Sequence, residues 1–166
     1  FASMHEVIEE LSRDRHSERV AHKGGADAPD LFAAFPPPEH GDTKERVARL
    51  RRELEEVEAL KRRGDFAAAA DRCRALSEQA ADLEYLPLVA ACLYALGSLQ
   101  HKTGDPASAE ATLYRAADLA ARVGDDWQVA NSLVALVPVL GDGLGRLQEA
   151  GVAARLADVA VTRAGG

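Results

Sequence analysis

Apolar residues recur along this chain at helical spacing in seven stretches, and each stripe stops at a turn-forming residue. The first is short: Met4, Val7, Ile8 and Leu11 occupy i, i+3, i+4 and i+7, and Ser3 with Glu6 has the spacing of a capping box that starts a helix. From about Ser12 to Asp42 the period is lost among Gly24-Gly25, Pro29 and Pro36-Pro37-Pro38. Glycine and proline at that density predict a flexible linker over 15–43, joining a terminal helix at 1–14 to the remainder of the chain. Inside it, Leu31, Phe32 and Phe35 make a small apolar cluster, with docking on a neighbour and plain exposure both open.

Beyond the linker the stripes come in pairs. Thr43 is placed to cap a helix in which Val47, Leu50, Leu54, Val57 and Leu60 share one face up to Gly64. After Gly64-Asp65, a second stripe of Ala69, Cys73, Leu76, Ala80 and Leu83 ends near Tyr85 and Pro87. Two more pairs come after it. One has Leu93, Leu96 and Leu99, then Ala109, Leu113, Ala116 and Ala120; the other has Val134, Val137 and Leu140, then Ala150, Ala154 and Ala157. The turn glycines Gly64, Gly104 and Gly145 are 40 and then 41 residues apart, so the pairs are repeats, at about 44–85, 86–124 and 126–164. Asp105-Pro106 shows how a second helix starts: aspartate caps, and proline suits the first turn because its missing N–H would have no partner there. Ala69, Ala109 and Ala150 are small where paired helices must approach closely. The prediction is all-α, with three helical hairpins stacked over 44–166.

Leu96-Gly97 on the first helix, Gly104-Asp105 at the turn, then Ala109, Leu113 and Ala116, resemble the tetratricopeptide repeat in a longer version of about 40 residues. The likeness covers roughly residues 44–164 and implies a right-handed solenoid. Two departures stand out. Leu60 lies four residues before Gly64 whereas Leu99 lies five before Gly104, so the first turn reads one residue shorter. Pro138 falls where the second copy has Gly97, and a proline inside a helix costs about 3 kcal/mol unless a kink accommodates it. At the other end, Phe1-Ala2-Ser3-Met4 and a helix closing on Leu11-Ser12-Arg13-Asp14 resemble the last helix of the C-terminal lobe in bacterial serine/threonine protein kinases. Kinase tail, proline-rich linker and long repeats together resemble the layout of the large modular kinases of myxobacteria and their relatives. The chain then reads as part of a longer protein, with further repeats or a kinase domain outside it.

Composition adds little against this picture. Of 166 residues 47% are hydrophobic and 5% aromatic, and an alanine- and leucine-rich chain with few rings favours helix over sheet. The longest apolar stretch, Leu86 to Leu99, is interrupted by Gly97-Ser98 and falls short of the roughly 20 residues a bilayer needs, so no membrane insertion is expected. Residues 1–15 lack the basic start and apolar centre of a signal peptide, and Cys73 and Cys92 have no metal or redox spacing. Two buried thiols in a reducing, cytoplasmic setting are the expectation. The net charge is −7, yet residues 44–63 carry eight basic and five acidic side chains. An acidic chain with one short basic stretch does not offer the concentrated positive surface that nucleic acid requires. Lys61-Arg62-Arg63 complements a helix C-terminus, or else docks an acidic partner.

The motifs of catalysis are missing from the sequence. It has no glycine-rich loop followed by a strand lysine, no His-Arg-Asp loop and no Asp-Phe-Gly, and Asp14-Arg15-His16 has the wrong order. Gly141-Asp142-Gly143-Leu144-Gly145 lacks the Gly-Lys-Ser/Thr of a phosphate cradle and reads as a turn. His5 and Glu9 are one helical turn apart, but two ligands do not make a metal site. No cofactor and no enzyme activity are expected for this segment. What the resemblance implies is a groove lined by the first helix of each pair, taking a protein or peptide partner. Its positions by analogy are Arg52, Glu55 and Arg62, then Tyr94, Ser98 and His101, then Ala135, Val139 and Asp142. The asparagine with which some of these repeats grip a C-terminal carboxylate is absent, with Ala59, Ser98 and Val139 in its place. A non-catalytic interaction or regulatory module of a kinase is the leading expectation. A sensor arm of a signalling or transcriptional regulator, taking a peptide or small ligand, and a structural spacer are the alternatives.

Overall fold

The computed structural model describes residues 35–37 and 41–165, and the terminal helix and most of the linker read from the sequence lie outside them. Six α-helices occur in order among the described residues: α1 Gly41–Arg62, α2 Phe66–Ala81, α3 Leu86–Lys102, α4 Pro106–Val123, α5 Asp126–Pro138 and α6 Leu147–Arg163. No strand occurs among the described residues. Each helix packs on the next, and α1, α3 and α5 also touch one another in turn, so three hairpin-like pairs lie side by side. α1 begins at Gly41, which places Thr43 inside the helix rather than at its cap. Asp42 supplies the acidic group that a helix start favours.

Most stripes are buried as their spacing predicts. Ala69, Cys73, Leu76, Ala80 and Leu83 of the first pair are all core, as are Leu93, Leu96, Leu99, Ala109, Leu113, Ala116 and Ala120 of the second. α3 is packed on both sides, which is why Leu88, Val89, Ala90, Cys92 and Ala95 are buried as well. Its Gly97 is a close-approach glycine: a Cβ there would lie 2.7 Å from Leu113 Cγ on α4.

The third pair departs from prediction by one residue. Leu133, Leu136, Val139 and Leu140 fill the core, while Val134 and Val137 are half-buried and pack on its edge. On α6 the core residues are Ala150, Ala153, Ala157 and Ala160, with Ala154 only half-buried. On α5 the displacement comes from a π-helical turn over Val139–Gly143, directly after Pro138, across which the count back from Gly145 slips by one. Pro138 has no N–H for the carbonyl four residues back, and a π turn takes up one extra residue per turn. The 41-residue interval therefore applies only past this turn; ahead of it the spacing is 40, and the counterpart of Gly97 is Val137 rather than Pro138.

The first turn is not shorter than the second. The Asp65 N–H donates to the Leu60 carbonyl at 3.1 Å and the Asp105 N–H to the Gln100 carbonyl at 2.9 Å, so Leu60 is the counterpart of Gln100, not of Leu99. Both close with a left-handed glycine, Gly64 at φ 83° and Gly104 at φ 86°, in the hydrogen-bond pattern that ends many helices. Asp105 caps α4 through the Ser108 N–H at 3.1 Å, as its position before Pro106 predicts. Asp65 makes no such bond and instead pairs with Arg63.

Candidate partner groove

With a uniform 40-residue spacing, half-buried side chains recur at matching positions on the first helix of each pair. Arg51, Ala91 and Asn131 form one row, Leu54, Tyr94 and Val134 the next, and Glu58, Ser98 and Pro138 a third; all nine are half-buried. A fourth row runs from half-buried Lys61 and His101 to the buried Gly141 at the π turn. Positions 51, 54, 58 and 61 are spaced three, four and three apart, which puts them on one side of α1, and the same holds for α3 and α5. Because these three helices are neighbours, the rows make one continuous face.

Tyr94 sits at its middle. Its ring packs on the apolar core of the third pair, alongside Val129, Val134 and Val137. Burial pushes its phenol above the ordinary tyrosine value, and the nearby Lys61 ammonium partly offsets that. Lys61 is held in place by its Nζ donating to Glu58 Oε1 at 2.8 Å. Ser98 Oγ donates to the Tyr94 carbonyl at 2.9 Å. His101 lies against the π turn, since a Cβ on Gly143 would be 3.6 Å from its Nδ1. The face is therefore apolar at its centre and carries both a cation and an anion on its α1 side.

The residues expected to line the groove divide into two sets. Tyr94, Ser98 and His101 share the face on α3, and Ala135 is half-buried on α5. Arg52, Glu55 and Arg62 are exposed on α1 but one position off the rows, Asp142 is exposed on the π turn, and Val139 is fully buried in the core and cannot meet a ligand. Leu54, Glu58, Lys61, Val134 and Pro138 occupy the rows in their stead. The 40-residue interval between Gly64 and Gly104, applied to every helix, is the signal that finds them. A shallow open depression on α1, lined by Asp42, Glu45, Arg46, Ala48, Arg49 and Arg52, holds only Arg52 of the expected set.

Elsewhere the chemistry is sparse. Among the described residues no three histidine, cysteine or carboxylate groups come together as metal ligands; His5 and Glu9 lie outside those residues. Cys73 and Cys92 are buried and unpaired, with burial pushing both thiols up to about 12. A buried polar line that sequence patterning misses runs along α5: Asp125 caps the helix through the Gln128 N–H at 2.9 Å, and Ser132 Oγ donates to the Gln128 carbonyl at 2.8 Å. One end of Asp125 gains that bond while its other oxygen, Oδ2, is buried without a partner. Arg146 ties α4 to the third pair through Glu110. No helix among the described residues is long and apolar enough to cross a membrane. In comparisons with protein-family models, curated proteins and solved structures, nothing matches this chain.

Proposed function

We propose that this chain is a tetratricopeptide-type solenoid, non-catalytic in itself, whose α1–α3–α5 face holds a peptide or helix of a partner protein. The observation that carries the reading is the threefold recurrence of half-buried side chains at 40-residue intervals with Tyr94 at the centre. Surfaces of stacked hairpins are extended and concave, and aromatic side chains are the usual carriers of interface energy. A partner suited to this face offers an apolar anchor for the Leu54–Tyr94–Val134 row and a charged group for Glu58 or Lys61. A free C-terminal carboxylate is not its expected ligand: in the 40-residue register the gripping position is taken by Glu58, Ser98 and Pro138, with no asparagine and one repelling charge. The further proposal, that the module regulates a serine/threonine kinase encoded with it, rests on the likeness of residues 1–14 together with the proline-rich linker and the long repeats that follow it.

The test is selection of binders from a random-peptide library, followed by titration against two groove variants and one variant on the outer face. Lys61→Glu and Ser98→Arg are each expected to weaken binding by about thirtyfold or more, the size of a hot-spot loss. Arg115→Glu, exposed on α4, is expected to change nothing. Failure to select any binder, or binders sensitive only to Arg115→Glu, would reject the proposal.

A further inference from the structure

Val152, Leu156 and Val159 on α6 are 46, 52 and 58% exposed, and with Tyr114 they are the large hydrophobic side chains most open to solvent among the described residues. They fall in a single seam with Glu149 and Arg163: the spacing 149, 152, 156, 159, 163 alternates three and four, the pattern by which one helix presents a stripe to another. The preceding pairs do not share it. Counting back 41 residues, Val152, Leu156 and Val159 become Ala111, Arg115 and Asp118 on α4; one repeat further they become Asp71, Ala75 and Glu78 on α2. Solvent-facing positions held by alanine or charged residues in the earlier pairs carry large apolar side chains on this helix.

A following hairpin would not cover that seam. Ala117 and Ala120 are buried on α4, where another pair stacks, and their counterparts on α6 are Asp158 and Val161, of which Asp158 is exposed. At 100° per residue these positions lie on a different side of the helix from Leu156 and Val159.

We propose that the seam is a self-association surface, on which α6 of a second copy lies antiparallel with the two-fold axis near Leu156. The charges select this occupant. Glu149 and Arg163 each lie seven residues from Leu156, on opposite sides, so an antiparallel copy brings Glu149 of each chain opposite Arg163 of the other, while a parallel copy would set like charges together. Both side chains are exposed and held only by surface pairs, Glu149 with Arg146 at 3.5 Å and Arg163 with Asp126 at 3.2 Å, which leaves them able to reach across. One helix seam is smaller than the roughly 800 Å² per partner of a standard interface, so the dimer is a weak, concentration-dependent one.

Sedimentation of the 166-residue chain over a wide concentration range tests this. A reversible monomer–dimer equilibrium is expected, abolished by Leu156→Glu with the helical spectrum unchanged. Glu149→Arg is expected to weaken it by about two- to thirtyfold, the sum of two exposed ion pairs. The double exchange Glu149→Arg with Arg163→Glu is expected to restore it. A chain that stays monomeric at about 0.5 mM, far above the micromolar range of weak complexes, would overturn the proposal. So would a dimer indifferent to Leu156→Glu, or one that the double exchange fails to rescue.

Discussion

The Arg146 N–H bonds the Leu140 carbonyl six residues back, at 2.7 Å, where the matching bond of the second pair, from Asp105 to Gln100, spans five. The one residue by which the third repeat exceeds the others is thus stored between these two groups, inside the π turn. Everything before it keeps the 40-residue register that aligns the half-buried rows of α1, α3 and α5.

Removing that residue should therefore be tolerated. Deletion of Asp142 leaves a turn of the same length as that between α3 and α4, and the expected change in stability is within about 1 kcal/mol. Deletion of Ser98 has no such slack: it rotates the end of α3 by 100°, moves Leu99 out of the core, and is expected to cost more than about 4 kcal/mol. Urea denaturation of the two variants decides between this and a π turn that the fold needs.

That relationship also explains which features were legible in the sequence. The glycines at 64, 104 and 145 and the Ala and Leu stripes of α2, α3 and α4 are enough to read the helices and their pairing, because helical period and turn chemistry act locally. The rows across helices depend on counting without slippage from one repeat to the next. Aligning Leu60 with Leu99 displaces the α1 positions by one, to Glu55 and Arg62, and carrying the 41-residue interval back through α5 displaces the third set onto Val139, a core residue. A π turn has no sequence signature of its own beyond a residue too many. The polar line at Asp125 is hidden for another reason: a buried carboxylate looks like any cap until its neighbours are known.

Gly97 is expected to resist the substitution that helix propensity favours. Alanine there would gain about 1 kcal/mol of propensity, but its Cβ would meet Leu113 Cγ at 2.7 Å and the Ala109 carbonyl at 3.3 Å. Overpacking of this kind costs about 1–3 kcal/mol, so Gly97→Ala should lower the denaturation midpoint. An unchanged or raised midpoint would mean that α3 and α4 can part without penalty.

Asp125 should give a pH signature. Burial raises its carboxyl above the ordinary range, the Gln128 N–H pulls it back and Asp126 raises it further. A folded value above the unfolded one makes protonation favour the fold, so the contribution of this group is present at low pH and lost as pH rises through the folded value. Asp125→Asn keeps an equivalent cap without the charge. It is expected to be more stable than the parent at neutral pH, with the difference closing as pH falls toward the unfolded value. Asp125→Ala loses the cap and should be less stable by about 0.5–2 kcal/mol. An Asn variant weaker than the parent at neutral pH would show that the ionised form is the one the fold prefers.

The two thiols titrate in the alkaline range with the same sign. With Cys73 and Cys92 raised from 9.0 to about 12 in the fold, the unfolded chain ionises first and stability falls as pH rises between those values. A Cys73→Ala, Cys92→Ala variant should lose less stability than the parent over that interval. Parallel losses in parent and variant would assign the effect to other groups.

The buried state of those thiols makes possible the most direct test of the groove. In the Cys73→Ala, Cys92→Ala background, a single cysteine introduced by Ser98→Cys, on the middle of the α1–α3–α5 face, is labelled with a bulky maleimide, and a selected peptide is titrated. Labelling is expected to abolish binding, while the same label at Arg115→Cys on the outside of α4 leaves the affinity unchanged. Full affinity with the label at position 98, or loss only with the label at position 115, would contradict the assignment of this face as the partner site.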